Sequence, residues 1–165
     1  MSRTKIISAI AIIIFLFVVA MLNNAVAGEK QKVKVHGVSH TVKSEQIIVG
    51  DVEGHILVIS ESRAVYIDEI SGERRNSRAV YFVDVNPNSK SVFIQGYVID
   101  VDKDGDKIIH KTEGKAVAKG QFKGTSTIIK GTGKFDGAKG GGTWTSYNMG
   151  QGQMYIEVEG ERESP

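Results

Sequence analysis

Between Gly28 and Pro165 the chain has no sustained helical periodicity; short β-branched runs recur instead, separated by Gly, Asn and Asp. That pattern admits an antiparallel sandwich or barrel and little else. Strand-like runs are expected near 32–39, 45–49, 55–60, 63–67, 77–85, 91–101, 107–118, 125–129, 143–147 and 153–159. Glu69 to Glu73, Asn86-Pro87-Asn88 and Asp102 to Asp106 each place turn-forming residues between two such runs, and each predicts a hairpin. Sequential hairpins without a crossover helix predict an up-and-down meander. Closing that meander into an all-β barrel removes its exposed edges.

Alternation within the runs is impure. In 77–85 one face holds Arg78, Val80, Phe82 and Asp84 and the other Ala79, Tyr81, Val83 and Val85. Apolar groups on both faces suit a sandwich, or a barrel whose outer wall is partly covered by an oligomer partner or a terminal segment, and a homo-oligomer, dimer or trimer, is expected.

Ahead of the domain, Arg3 and Lys5 precede Ile6 to Leu22, a run free of charge, and Ala25 and Ala27 supply the small residues a signal peptidase accepts. Residues 1–27 are expected to be a signal peptide cleaved after Ala27; the rival is an uncleaved anchor, since the run is close to the shortest spanning helix. The protein is therefore expected to be exported, periplasmic or secreted, with no membrane association once cleaved. Removing the leader takes away Arg3 and Lys5, leaving Lys+Arg and Asp+Glu equal at 19 each in a neutral chain of 138 residues. That balance gives no support for a nucleic-acid partner. Absence of cysteine excludes disulfides and thiol ligation of a metal.

Twelve of the 19 glycines lie between Gly114 and Gly160. Gly131-Thr-Gly-Lys-Phe-Asp-Gly-Ala-Lys-Gly is the densest stretch, and it reads as a tight barrel corner at Gly131, Gly133, Gly137 and Gly140 in which Phe135 plugs one end of the core. It lacks the spacing and the following helix of a phosphate loop. With Gly142-Thr143-Trp144 behind it, this stretch resembles the glycine turn of the allene oxide cyclase and dirigent barrels and of related bacterial exported domains of unknown function. Gly50 to Leu57 is similar to an early-strand motif of those bacterial domains. The resemblance implies an eight-stranded antiparallel, calycin-like barrel over residues 45–160 with an interior cavity, often dimeric or trimeric. Residues 28–44 are then an N-terminal extension or first strand, and 161–165 a tail. No catalytic residue of that family maps onto this chain.

Candidates for chemistry are sparse. Glu61 and Glu113 are the carboxylates that catalysis in a cavity would use, because burial raises a carboxyl pKa into the working range. Arg63, Arg78, Tyr81, Tyr97 and Trp144 are candidate cavity-lining residues, and solvent exposure on the outer wall is the plain alternative for all of them. Asp100, Asp102, Asp104 and Gly105 match the opening of a calcium loop, but Lys111 stands where a bidentate Glu is required, so an acidic hairpin tip with at most weak calcium binding is expected. His36 and His40 share a strand face roughly 13 Å apart at about 3.3 Å per residue, and His55 and His110 read as rim or surface residues. No metal site and no cofactor are expected. Three functions remain open: a binding barrel for a small apolar or amphipathic molecule, an isomerase or cyclase that folds a reactive substrate in its cavity, and a structural module of an exported assembly. The first two part on one feature, a buried ionisable group facing the cavity.

Overall fold

A computed structural model describes residues 29–89 and 91–164, apart from the side chain of Ser91. The leader, Met1 to Ala27, lies outside the described residues. Within them the chain forms eight strands: β1 Lys30–Ile48, β2 Ile56–Asp68, β3 Arg74–Asn86, β4 Ser91–Val101, β5 Lys107–Ala118, β6 Gln121–Gly131, β7 Lys139–Gly150 and β8 Gln153–Glu163. Every strand pairs antiparallel with its sequence neighbour, and β8 returns to β1, so the sheet is a closed up-and-down barrel.

The three anticipated hairpins lie at the β2–β3, β3–β4 and β4–β5 connections. Ten expected runs became eight strands because two apparent breaks are continuous strand. The residues around Thr41 carry β1 through a bulge between Thr41 and Lys43, and Ser60-Glu61-Ser62 sits in the middle of β2. Ser60 and Ser62 look like loop residues because they are polar, yet they point into the barrel, where hydroxyls replace the usual apolar series. The first strand, Lys30–Ile48, crosses the expected 44/45 boundary, and the last strand runs on to Glu163.

One end of the barrel is plugged. After β6 the chain turns inward through a short 3₁₀ segment, Gly133–Phe135, and packs Phe135, 4% exposed, against Ile108, Ala138 and Ile128. Gly131 is required there because a Cβ would collide with the backbone carbonyl of Phe135. The charges beneath the plug are matched: Lys134 reaches Asp102 at 2.7 Å and Glu73 at 3.0 Å, and Glu73 also binds Arg75 at 2.7 Å. These two carboxylates push the Lys134 ammonium up to about 12, while Lys134, ahead of the backbone N–H groups of Asp104 and Asp106, holds Asp102 below its ordinary value. The guanidiniums of Arg75 and Arg162 and the ammonium of Lys134 lie 5.0–5.4 Å from the Phe135 ring centroid. The other end carries the β1–β2, β3–β4, β5–β6 and β7–β8 turns, and there β1 outruns β8, whose pairing with it stops at His40.

A cavity above a polar floor

Above the plug the interior is not filled by its own side chains. A cavity of about 280 Å³ remains, walled by apolar groups such as Val33, Val83, Ile94, Val98, Phe122 and Ile156 together with Tyr66, Tyr81 and Trp144. Each of these three aromatic rings lies over glycine on a neighbouring strand, Tyr66 over Gly37, Tyr81 over Gly96 and Trp144 over Gly124, and Trp144 reaches on to Gly114 of β5. The missing Cβ atoms let large rings lie flat against the wall and leave the centre open. Trp144 is fixed by its indole N–H, which donates to the Thr125 carbonyl at 3.1 Å; the Thr112 hydroxyl donates to the same oxygen at 3.1 Å.

The floor of this cavity is polar. On β5 the series Lys111, Glu113, Lys115 is exposed, which turns Ile108, His110 and Thr112 inward. Ile108 joins the plug, and His110 stands one inward position above it. On β4 Asp100 is the cross-strand partner of Ile108, and its Oδ2 meets His110 Nε2 at 3.2 Å. Three buried atoms around this pair have no hydrogen-bond partner among the described residues: His110 Nδ1, Asp100 Oδ1 and the hydroxyl oxygen of Ser77, which faces Asp100 across β3 and β4. Buried polar atoms are ordinarily satisfied, so Asp100 and His110, which line the cavity, keep hydrogen-bonding capacity that the described residues do not use. Tyr66 and Tyr81 are both held protonated, by burial first and by the Asp100 carboxylate as well, with Tyr81 adding to the effect at Tyr66.

Of the lining residues expected from sequence, Tyr81 and Trp144 face the cavity. The remainder stand on the outer wall. Glu61 is turned outward because Ser60 and Ser62 take the inward positions of β2; it forms a two-point ion pair with Arg78 at 2.8 and 3.1 Å and meets Arg63 at 3.0 Å. Arg78, then burial working against it, then Arg63 set its carboxyl, which is held below the ordinary value and not raised. Glu113 is exposed between two lysines of the outer face, and Tyr97 is 53% exposed. The acidic hairpin does not form a calcium loop: Asp100 turns into the barrel toward His110, Asp102 is taken by Lys134 and two backbone N–H groups, and Asp104 pairs with Lys103. Among the described residues no group of three or more His, Asp or Glu side chains is arranged to hold a metal ion.

The other histidines lie outside the cavity. His36 pairs with Glu69 at 3.1 Å, and His40 is exposed. His55 bridges Asp51 at 2.6 Å and Asp84 at 3.1 Å, tying the β1–β2 turn to β3; desolvation opposes its protonation, but the two carboxylates outweigh it and raise the imidazole. His110 lines the cavity, where the sequence reading had placed it at the rim or surface. The exposed Lys111-Glu113-Lys115 series was the signal that could have placed it inside.

No protein-family model matches the sequence, and no curated protein matches it significantly. Solved structures do. The pterocarpan synthase dirigent protein PsPTS1 is similar with a TM-score of 0.56 at 9% identity, over 84% of this chain and 97% of that one. The chain has the dirigent barrel fold. A second pterocarpan synthase dirigent protein, GePTS1, is similar at TM-score 0.54 and 13% identity, over 86% of this chain and 95% of that one. AbnU, an exo-specific intermolecular Diels-Alderase, gives 0.51 at 15% identity, over 81% and 99%. In this dirigent-type barrel the glycine-backed aromatics and the Phe135 plug are what shape the interior.

Proposed function

We propose that this barrel holds one small apolar or amphipathic molecule in its cavity, with the polar end of the molecule toward Asp100 and His110. The observation that carries this reading is the open volume of about 280 Å³, which is apolar on its walls and polar on its floor. An engineered apolar cavity of about 150 Å³ takes a single benzene, so this space suits a molecule of about one to two rings. The named activities of the neighbours, pterocarpan synthesis and an intermolecular Diels–Alder addition, support a barrel that works on small organic molecules. An isomerase or cyclase is the second reading. It is favoured by Asp100 and His110, half-buried ionisable groups that a mere container does not need.

Trp144 is the chain's one tryptophan and lines the cavity, so its emission reports directly on occupancy. Titration with the neutral two-ring probe 1-naphthylamine is expected to quench Trp144 with saturation at one probe per barrel. Val98→Phe, which adds bulk to open space rather than to packed core, is expected to weaken binding by at least about ten-fold, the loss of roughly 1.4 kcal/mol, while leaving the melting temperature near that of the parent. Equal binding by Val98→Phe, or none by the parent, would sink the reading.

Export and self-association belong to the same proposal. The basic, then apolar, then small-residue leader supports export, and the exposed apolar side chains of Ile59, Phe82, Phe93 and Tyr97 on the outer wall support a homo-oligomer. One native mass spectrum of the protein expressed with its leader checks both. A subunit beginning at Gly28 in a dimer or trimer is expected; an intact leader contradicts cleavage, and a monomer at micromolar concentration contradicts association.

A further inference from the structure

We infer that Asp100 and His110 are a proton-transfer pair, and that the cavity serves an enolisable carbonyl compound; this rests on the cavity-binding reading. Four features converge on it. The pair stands at the floor of the cavity, with Asp100 Oδ2 at 3.2 Å from His110 Nε2. Nε2 faces that carboxylate, and Nδ1, which carries the lone pair in the Nε2–H tautomer, has no hydrogen-bond partner among the described residues. Tyr81 and Tyr66 line the same space as protonated phenols, able to donate a hydrogen bond to an oxygen on which charge develops. The walls are largely apolar between the inward hydroxyls, and a site that excludes water strengthens each of these interactions.

The step balances without any oxidant or cofactor. His110 Nδ1 takes the proton from the carbon beside the carbonyl. The electron pair of that C–H bond becomes the carbon–carbon double bond of the enolate, and the carbonyl π pair moves to oxygen, where a tyrosine O–H stabilises it. Return of the proton from the imidazolium to the same carbon gives exchange; return to a vinylogous carbon moves a double bond. His110 is the catalytic residue. Asp100 is a positioning residue that fixes the tautomer and steadies the imidazolium.

The test uses 2-tetralone, a neutral two-ring ketone with acidic α-hydrogens. In D₂O the protein is expected to accelerate deuterium uptake at the α-carbon, followed by proton NMR, beyond buffer containing an equal concentration of imidazole. His110→Gln and Asp100→Asn are each expected to lower that rate about 100-fold, within the usual contribution of a general base, while saturable quenching of Trp144 by 2-tetralone persists and shows that the cavity still fills. Added imidazole restores part of the rate to His110→Gln, and Asp100→Glu retains more of it than Asp100→Asn; a merely structural pair would show neither rescue. Saturable quenching with exchange rates equal in parent and variants overturns the proton-transfer pair and leaves binding intact. Absence of quenching by both 2-tetralone and 1-naphthylamine overturns the binding reading and the pair together.

Discussion

Phe135→Ala is expected to cost about 3–5 kcal/mol, the usual range for removing a buried phenylalanine, out of the about 5–15 kcal/mol that holds a domain of this size together. Phe135 is 4% exposed and is the largest member of the cluster with Ile108 and Ala138. Its removal leaves a hole where the barrel is closed. It also removes the ring over which Arg75, Lys134 and Arg162 are gathered. Burial, followed by the nearness of Arg75, already disfavours the charged form of Arg162, so the loss of a polarisable surface between the two guanidiniums adds to the cost. Urea unfolding should show a lower midpoint at an unchanged slope. Phe135→Leu, which keeps most of the volume and loses the cation–π contacts, should fall between the two. A loss below about 1 kcal/mol for Phe135→Ala would mean that the plug is not what closes the barrel.

Gly124→Ala should be nearly as damaging, although it adds one methyl group on a strand. Its Cβ would collide with the Glu113 carbonyl on β5 and stand 2.5 Å from Trp144 Cζ2. The β5–β6 pairing and the indole cannot both stay in place. A cost of about 1–3 kcal/mol is expected for such overpacking, which corresponds to a drop of the melting temperature by several degrees at about 2–4 °C per kcal/mol. Trp144 emission should shift to the red as the ring leaves its glycine bed, and probe affinity should fall with it. Unchanged emission and melting temperature would show that the glycines under Trp144 are incidental.

Much of the fold is legible in the residues. The turn residues at 69–73, 86–88 and 102–106 and the glycine corner from Gly131 fix where the chain reverses, and sequential reversals leave the meander as the simplest topology. Strand faces were harder to read. In β2 the choice between Glu61 with Ile59 and Ser60 with Ser62 for the interior runs against hydropathy, since the barrel points hydroxyls inward and keeps Ile59 outside at 47% exposure. A period of two says which residues share a face and not which face is inside. β5 was decidable, because three charged residues in register must meet water. Asp100 was obscured by its place at the head of an acidic hairpin, where it reads as a surface ligand; only pairing with β5 reveals that it continues the inward face of β4 onto His110.

The central claim, an interior that receives a small molecule above a polar floor, is tested most directly by a crystal structure of the protein with bound 2-tetralone. The account predicts density inside the barrel, with the rings between Val98 and Trp144 and the carbonyl within hydrogen-bond reach of Tyr81, Tyr66 or the Asp100–His110 pair. An interior closed by its own side chains, with the ketone absent or confined to the outer wall, would contradict it.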